Sequence, residues 1–166
     1  MKLHEAAEMA LGVAHSMYPH CDTLLLAGSV RRKKPEVKDI EFVIVPKPYQ
    51  SGLFQDGLAA VVNQWKKVKG EMEYGKVKYT QRILKEGVKL DLFFATPENL
   101  GYIYMLRTGS SEWNQKFMLP RLKGNGYRAH AGNIWWKGEI YPVPSEEDMF
   151  RIMGLGLGAV KPENRI

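Results

Sequence analysis

Gly28-Ser29-Val30-Arg31-Arg32-Lys33-Lys34-Pro35-Glu36-Val37-Lys38-Asp39-Ile40-Glu41 is the most informative stretch of the chain. Thr23–Ala27, just upstream, is a short apolar run that reads as a buried strand. Ile40–Val45 reads as a second strand, closed by Pro46 and Pro48. A strand therefore enters Gly28 and a short helix leaves it. Glycine permits close backbone approach, and Ser29 sets a hydroxyl at the helix start, a combination that suits a phosphate. Arg31, Arg32, Lys33, Lys34 and Lys38 are five cations against the single acid Glu36 before Asp39. Taken alone, the segment fits a turn with a solvated basic face equally well.

Asp39 and Glu41 stand two apart on the expected strand, so their side chains share a face. Val43 and Val45 continue that face, and Ile40, Phe42 and Ile44 take the other. Val88, Leu90, Leu92 and Phe94 likewise mark one face of a later strand, which turns Asp91 to the opposite side with Phe93. If the two strands are neighbours, three carboxylates converge. Mutual repulsion is then tolerated at an exposed strand end or around a cation, and oxygen donors of this kind suit Mg²⁺. The competing reading is three unrelated surface acids. A phosphate cradle directly before a carboxylate pair is the layout that two-metal phosphoryl transfer requires.

Outward from this centre, Leu3, Ala7, Ala10, Val13 and Met17 predict a helix ended by Pro19, and Phe54, Leu58, Val61 and Trp65 predict another. Glu71 to Ala95 alternates as β-structure. Tyr74 and Val77 belong to that alternation, Gly75 breaks its phase, and Glu86-Gly87 forms a turn. Thr96-Pro97-Glu98 starts a helix, Ser110 or Ser111 caps a further one, and Ser145-Glu146-Glu147-Asp148 resembles a capping box. Tyr127–Tyr141 reads as two or three small strands, with Tyr127, Trp135 and Trp136 in their core. The expected architecture is α/β (α+β): a mixed sheet flanked by helices over residues 1–106, then a small α/β lobe over 107–166.

The chain has 166 residues, of which 45% are hydrophobic and 25% charged, so it can bury a core. No apolar run approaches a membrane span, and the N-terminus has no signal-peptide core. Cys21 is the only cysteine, which excludes an internal disulfide and suits a reducing compartment. The four histidines follow no metal-ligand spacing. A net charge of +6 favours an anionic partner. Lys66, Lys67, Lys69, Lys76, Lys78, Arg82, Lys85 and Lys89 outnumber Glu71, Glu73 and Glu86, so this region reads as a nucleic-acid track or a solvated hairpin.

Gly-Ser-x-Arg-Arg from Gly28, Asp-x-Glu at 39–41 and Leu-Asp-Leu at 90–92 together resemble the DNA polymerase beta superfamily of nucleotidyltransferases, and family X DNA polymerases most closely. Gly101–Ser110 resembles the family segment ending in Thr-Gly-Ser, and Trp113-Asn114 its aromatic–asparagine pair. Pro142–Phe150 and Pro162–Arg165 resemble its C-terminal end. The likeness runs from about Leu24 to Ile166.

This resemblance implies a nucleotidyltransferase palm and a thumb-like lobe. Two Mg²⁺ ions, replaceable by Mn²⁺, would be held by Asp39 and Glu41. Asp91 would bind only the catalytic ion and would help accept the primer 3′-hydroxyl proton. Gly28, Ser29 and Arg32 would bind the β- and γ-phosphates of a (deoxy)nucleoside triphosphate, and Lys38 would replace a Ser-Gly pair that holds the triphosphate. Lys89 would lie near the primer phosphate. Thr108 and Gly109 would pass along the sugar, Trp113 would pack on sugar or base, and Asn114 would hydrogen-bond the base. Leu106 and Arg107 replace the aromatic pair of the sugar gate, which implies weak sugar discrimination. Glu41 stands where these polymerases have Asp.

With one helix ahead of the palm, the resemblance implies a minimal cytoplasmic member, comparable to the smallest viral one. It would fill gaps or extend primer-templates in DNA repair. The alternative is a template-independent transferase acting on an RNA end, a protein or a small molecule. A non-catalytic nucleic-acid-binding module is a third reading, opposed by the intact carboxylate trio.

Overall fold

The computed structural model describes residues 1–48, 57–70, 72 and 78–166. The expected start of the second helix at Phe54 lies outside the described residues, as do Tyr74, Gly75 and Val77 in the alternating region. The chain forms two compact units, Met1–Phe94 and Ala95–Ile166.

In the first unit, helix α1 (Leu3–Met17) precedes strand β1 (Cys21–Leu26), helix α2 (Gly28–Arg31), strand β2 (Asp39–Pro46) and helix α3 (Gly57–Val62). Strands β3 (Lys66–Lys69), β4 (Tyr79–Ile83) and β5 (Lys89–Phe94) complete it. The five strands form one sheet in the order β1-β2-β5-β4-β3. Only β2 and β5 run parallel; the other pairs are antiparallel. The fold is α+β with a mixed sheet, as the sequence predicts.

Ile40, Phe42, Ile44, Leu90 and Leu92 form the apolar face expected of them. They pack with Ala10, Val13 and Met17 of α1 and with Leu58 and Val62 of α3. Each buried aliphatic side chain stabilises the unit by about 1.5–3 kcal/mol relative to exposure. The alternation fixes the consequence for the other face: with the even-numbered residues of β2 buried against helices, Asp39 and Glu41 must point away from them. The N-terminal residues brace the loop between α2 and β2. Leu3 N–H donates to Pro35 O (3.2 Å), and Val37 N–H donates to Met1 O (2.9 Å).

β3 escapes sequence reading because Lys-Lys-Val-Lys has no apolar face. All four residues are exposed, and the strand exists through its pairing with β4. Lysines are the usual occupants of an edge strand, where they oppose edge-to-edge association. Arg82 leaves the basic track. It is 2% exposed, with Nε donating to Thr80 Oγ1 at 3.2 Å and Nη1 donating to Trp65 O at 3.4 Å.

The second unit contains helix α4 (Leu100–Thr108), helix α5 (Ser111–Trp113), a π-helical segment (Asn114–Met118) and helix α6 (Leu119–Gly124). Strands β6 (Tyr127–His130), β7 (Asn133–Trp136) and β8 (Glu139–Tyr141) form an antiparallel sheet, followed by helix α7 (Glu146–Ile152). The units divide after Phe94, not at residue 106, because α4 is tied to later residues. Gly101 N–H donates to Val143 O (2.8 Å) and Val143 N–H to Glu98 O (2.7 Å). A Cβ on Gly101 would meet Ser145 O at 2.1 Å, so this approach requires glycine. The small sheet is cored by Ile134 and not by its tryptophans. Trp136 is 38% exposed, stacks on Tyr127 at 6.2 Å and carries Lys137 Nζ 4.3 Å above its ring. Among the described residues, no helix is long and apolar enough to cross a membrane.

Candidate active site

The first unit gathers its polar side chains where β1 gives way to α2. Ala27 N–H donates to Glu41 O at 2.8 Å, which sews this turn onto β2. Gly28 then adopts φ +61°, and a Cβ there would lie 1.6 Å from Glu41 Oε2. The backbone of Gly28 is therefore pressed against the Glu41 carboxylate, a placement that no other residue type allows without movement. Ser29 Oγ is buried and has no hydrogen-bond partner among the described residues. Since an unsatisfied buried hydroxyl costs about 1–3 kcal/mol, such an atom is a candidate for contact with a ligand. Helix α2 has only four residues, so its dipole is small. Any phosphate affinity here rests on Ser29, first-turn N–H groups and Arg32. Burial pulls the Arg32 guanidinium below its ordinary pKa, and the charges of Glu41 and then Asp39 push back.

Parallel pairing of β2 with β5 sets Asp39 beside Lys89 and Glu41 beside Asp91. The three carboxylates thus occupy one sheet face. Asp39 and Glu41 are half-buried and Asp91 is 6% exposed. Burial, and after it the charge of Asp91, raises the Asp39 carboxyl above its ordinary range. Lys89 and Arg32 only partly compensate. Asp91 Oδ1 accepts a hydrogen bond from Tyr79 Oη and another from Gln81 Nε2 at 2.8 Å.

These side chains fit Mg²⁺ in donor chemistry, since all three are hard oxygen ligands and Asp39 carries a repulsion that a cation would relieve. Their present rotamers do not close around one point. Among the described residues, no group of three His, Cys, Asp or Glu side chains is arranged to hold a metal ion. Asp91 is engaged through Oδ1 alone, by Tyr79 and Gln81, and Glu41 lies against Gly28.

Lys89 is exposed opposite Asp39, and Lys38 is exposed immediately before β2. In the second unit, Leu106 is half-buried and Arg107 exposed in the last turn of α4. Thr108 is fully buried, and Gly109 caps the helix at φ 69° with its N–H on Met105 O. Ser110 caps α5, its hydroxyl accepting from Trp113 N–H at 3.1 Å. Trp113 is 5% exposed, stacked on Phe117 at 5.3 Å, with the Arg165 guanidinium 5.1 Å from its ring. Asn114 Nδ2 donates to Leu106 O at 2.8 Å, while its buried Oδ1 has no partner among the described residues.

Three residues escape sequence reading. Tyr79 and Gln81 share a phase of β4, but their meeting with Asp91 depends on the β4–β5 register, in which Gln81 faces Asp91. Arg165 is 1% exposed and pairs with Glu146 at 2.7 Å. Sequence separation hid both relationships.

No family model matches the chain, and no curated protein matches it.

Proposed function

We propose that this protein is a metal-dependent nucleotidyltransferase that adds nucleotides from (deoxy)nucleoside triphosphates to a nucleic-acid 3′-hydroxyl, in the manner of a minimal family X DNA polymerase acting on primer-templates or gapped DNA. One observation carries the reading. The carboxylates Asp39, Glu41 and Asp91 share one face of the sheet, the Gly28-Ser29 turn that leaves β1 presses against Glu41, and Arg32 is close enough to feel the charges of Glu41 and Asp39. Anion-binding and cation-binding groups side by side are what triphosphate chemistry demands.

In this reading the 3′-hydroxyl attacks the α-phosphorus, the bond to the β,γ-diphosphate breaks, and pyrophosphate leaves. Ser29 Oγ donates to a phosphate oxygen and Arg32 neutralises phosphate charge. Asp39, Glu41 and Asp91 would hold the metal ions, Asp91 that of the reacting centre, and Asp91 takes up the proton of the attacking hydroxyl. Bound Mg²⁺ would supply neutralisation of the triphosphate and of the charge developing at the attacking and leaving oxygens. The protein's share is positioning and electrostatics. Residues of the second unit enter only through the family resemblance. Glu41, which stands where family X polymerases have Asp, favours the template-independent alternative.

Labelled ribo- and deoxynucleotides with Mg²⁺ or Mn²⁺, offered with single strands, primer-templates and gapped duplexes, test the proposal. Templated extension by the unmodified protein is expected, with none by an Asp91→Asn variant that melts normally. Extension of single strands alone would move the assignment to the template-independent class. Failure to incorporate on any acceptor would refute it.

A further inference from the structure

Resting on the nucleotidyl-transfer reading, we infer that Tyr79 and Gln81 are positioning residues that hold Asp91 by one oxygen and keep the other available to a metal ion and the primer hydroxyl. Gln81 lies directly across the β4–β5 ladder from Asp91, and Tyr79 is paired with Phe93 two residues further along, on the same face. Both side chains donate to Oδ1 of Asp91. Among the described residues, none donates to Oδ2. The terminal torsion of an aspartate is soft, and two donors on one oxygen remove that freedom. The Tyr79 ring is itself fixed, stacked on Phe93 with centroids 4.9 Å apart and planes 20° apart. The choice of donors matters as much as their number. A lysine or arginine here would neutralise the anion that a cation must find, whereas a phenol and an amide orient Asp91 and leave its charge intact. Both also satisfy a carboxylate that is only 6% exposed, so the experiment has to separate orientation from mere burial.

Tyr79→Phe keeps the ring and its stack but removes the donor. Gln81→Met keeps the length and removes the amide, and serves if the first variant melts early. Each is titrated with Mn²⁺, followed by electron paramagnetic resonance in the presence of a non-hydrolysable α,β-imido nucleoside triphosphate, and each is assayed for transfer. The more weakly bound Mn²⁺ should bind about 10–100-fold less tightly and kcat should fall by a similar factor, the usual effect of losing a partner of a metal ligand. Nucleotide KM should stay within about twofold, since the phosphate contacts are untouched. Mn²⁺ binding and kcat equal to those of the unmodified protein in both variants would overturn the inference, as would an effect on KM alone. Asp91→Asn in the same titration separates the two claims. If the unmodified protein binds Mn²⁺ no better than Asp91→Asn and incorporates nothing, the nucleotidyl-transfer reading fails and the positioning role with it. If only the Tyr79 and Gln81 variants behave normally, the positioning role fails alone.

Discussion

Gly28→Ala is the sharpest perturbation available. Gly28 has φ +61°, where an L-residue costs about 1–2 kcal/mol. Alanine returns about 0.4–1 kcal/mol by stiffening the unfolded chain, which leaves a net loss of about 1 kcal/mol. The second effect is steric. The added Cβ would lie 1.6 Å from Glu41 Oε2 and 2.6 Å from its Cδ, whereas real Cβ contacts are essentially never under 3.0 Å. The carboxylate must retreat by about 1.4 Å, a crowding that costs a further 1–3 kcal/mol or so. Because Glu41 is a flexible side chain, the fold survives; its carboxylate position does not. Misplacing a reacting or ligating group by about 1 Å costs on the order of 10²-fold in rate. Gly87 supplies the control. It has φ +78° with nothing within 4 Å of its Cβ position, so Gly87→Ala carries only the backbone term. Urea unfolding should place Gly87→Ala about 1 kcal/mol below the unmodified protein and Gly28→Ala about 2–4 kcal/mol below, by the same terms. Only Gly28→Ala should lose nucleotide transfer. Equal stability and equal turnover of the two variants would refute the argument that Gly28 exists to admit Glu41.

Arg32→Ala should weaken triphosphate binding by about 1.5–3 kcal/mol in an equilibrium titration, the scale of a charge-assisted hydrogen bond. Asp39 titrates above the ordinary carboxylate range in the folded protein, so its contribution to stability falls as pH rises from about 4 through its raised value and is a net cost at neutral pH without metal. The melting temperature of Asp39→Asn should therefore exceed that of the unmodified protein at pH 7, and the gap should close on acidification; a lower value at pH 7 would contradict this. Ser145→Ala removes a cap whose hydroxyl accepts from Asp148 N–H at 3.2 Å and should cost about 1 kcal/mol in thermal unfolding. The Ser145 bonds hold the Asp148 carboxyl below its ordinary range, so their stabilisation is present above that range and is lost as pH falls through the lowered value. Arg165→Met removes a buried guanidinium that pairs with Glu146 at 2.7 Å and donates to Val160 O at 3.2 Å, and should destabilise the protein by about 1–3 kcal/mol in urea titration.

Local periodicity was enough to determine much of the first unit. The helix at Leu3–Met17, both strands bearing carboxylates and the faces to which Asp39, Glu41 and Asp91 point all follow from apolar residues recurring at periods of 3.6 and 2. The Ser145 capping box was equally legible, because a cap is a contact between residues three apart. What the sequence could not determine is whatever depends on which strands become neighbours. The adjacency of Glu41 and Asp91 required β2 and β5 to pair in parallel, and the grip of Tyr79 and Gln81 on Asp91 required the β4–β5 register. β3 has no apolar pattern and exists only because β4 offers it a partner. Arg165 has no local signal of burial, and only the fold brings Glu146, Trp113 and Phe150 around it. Such contacts join residues far apart in the chain, and their geometry is chosen by the packing of the whole sheet or core, which no local window of sequence contains.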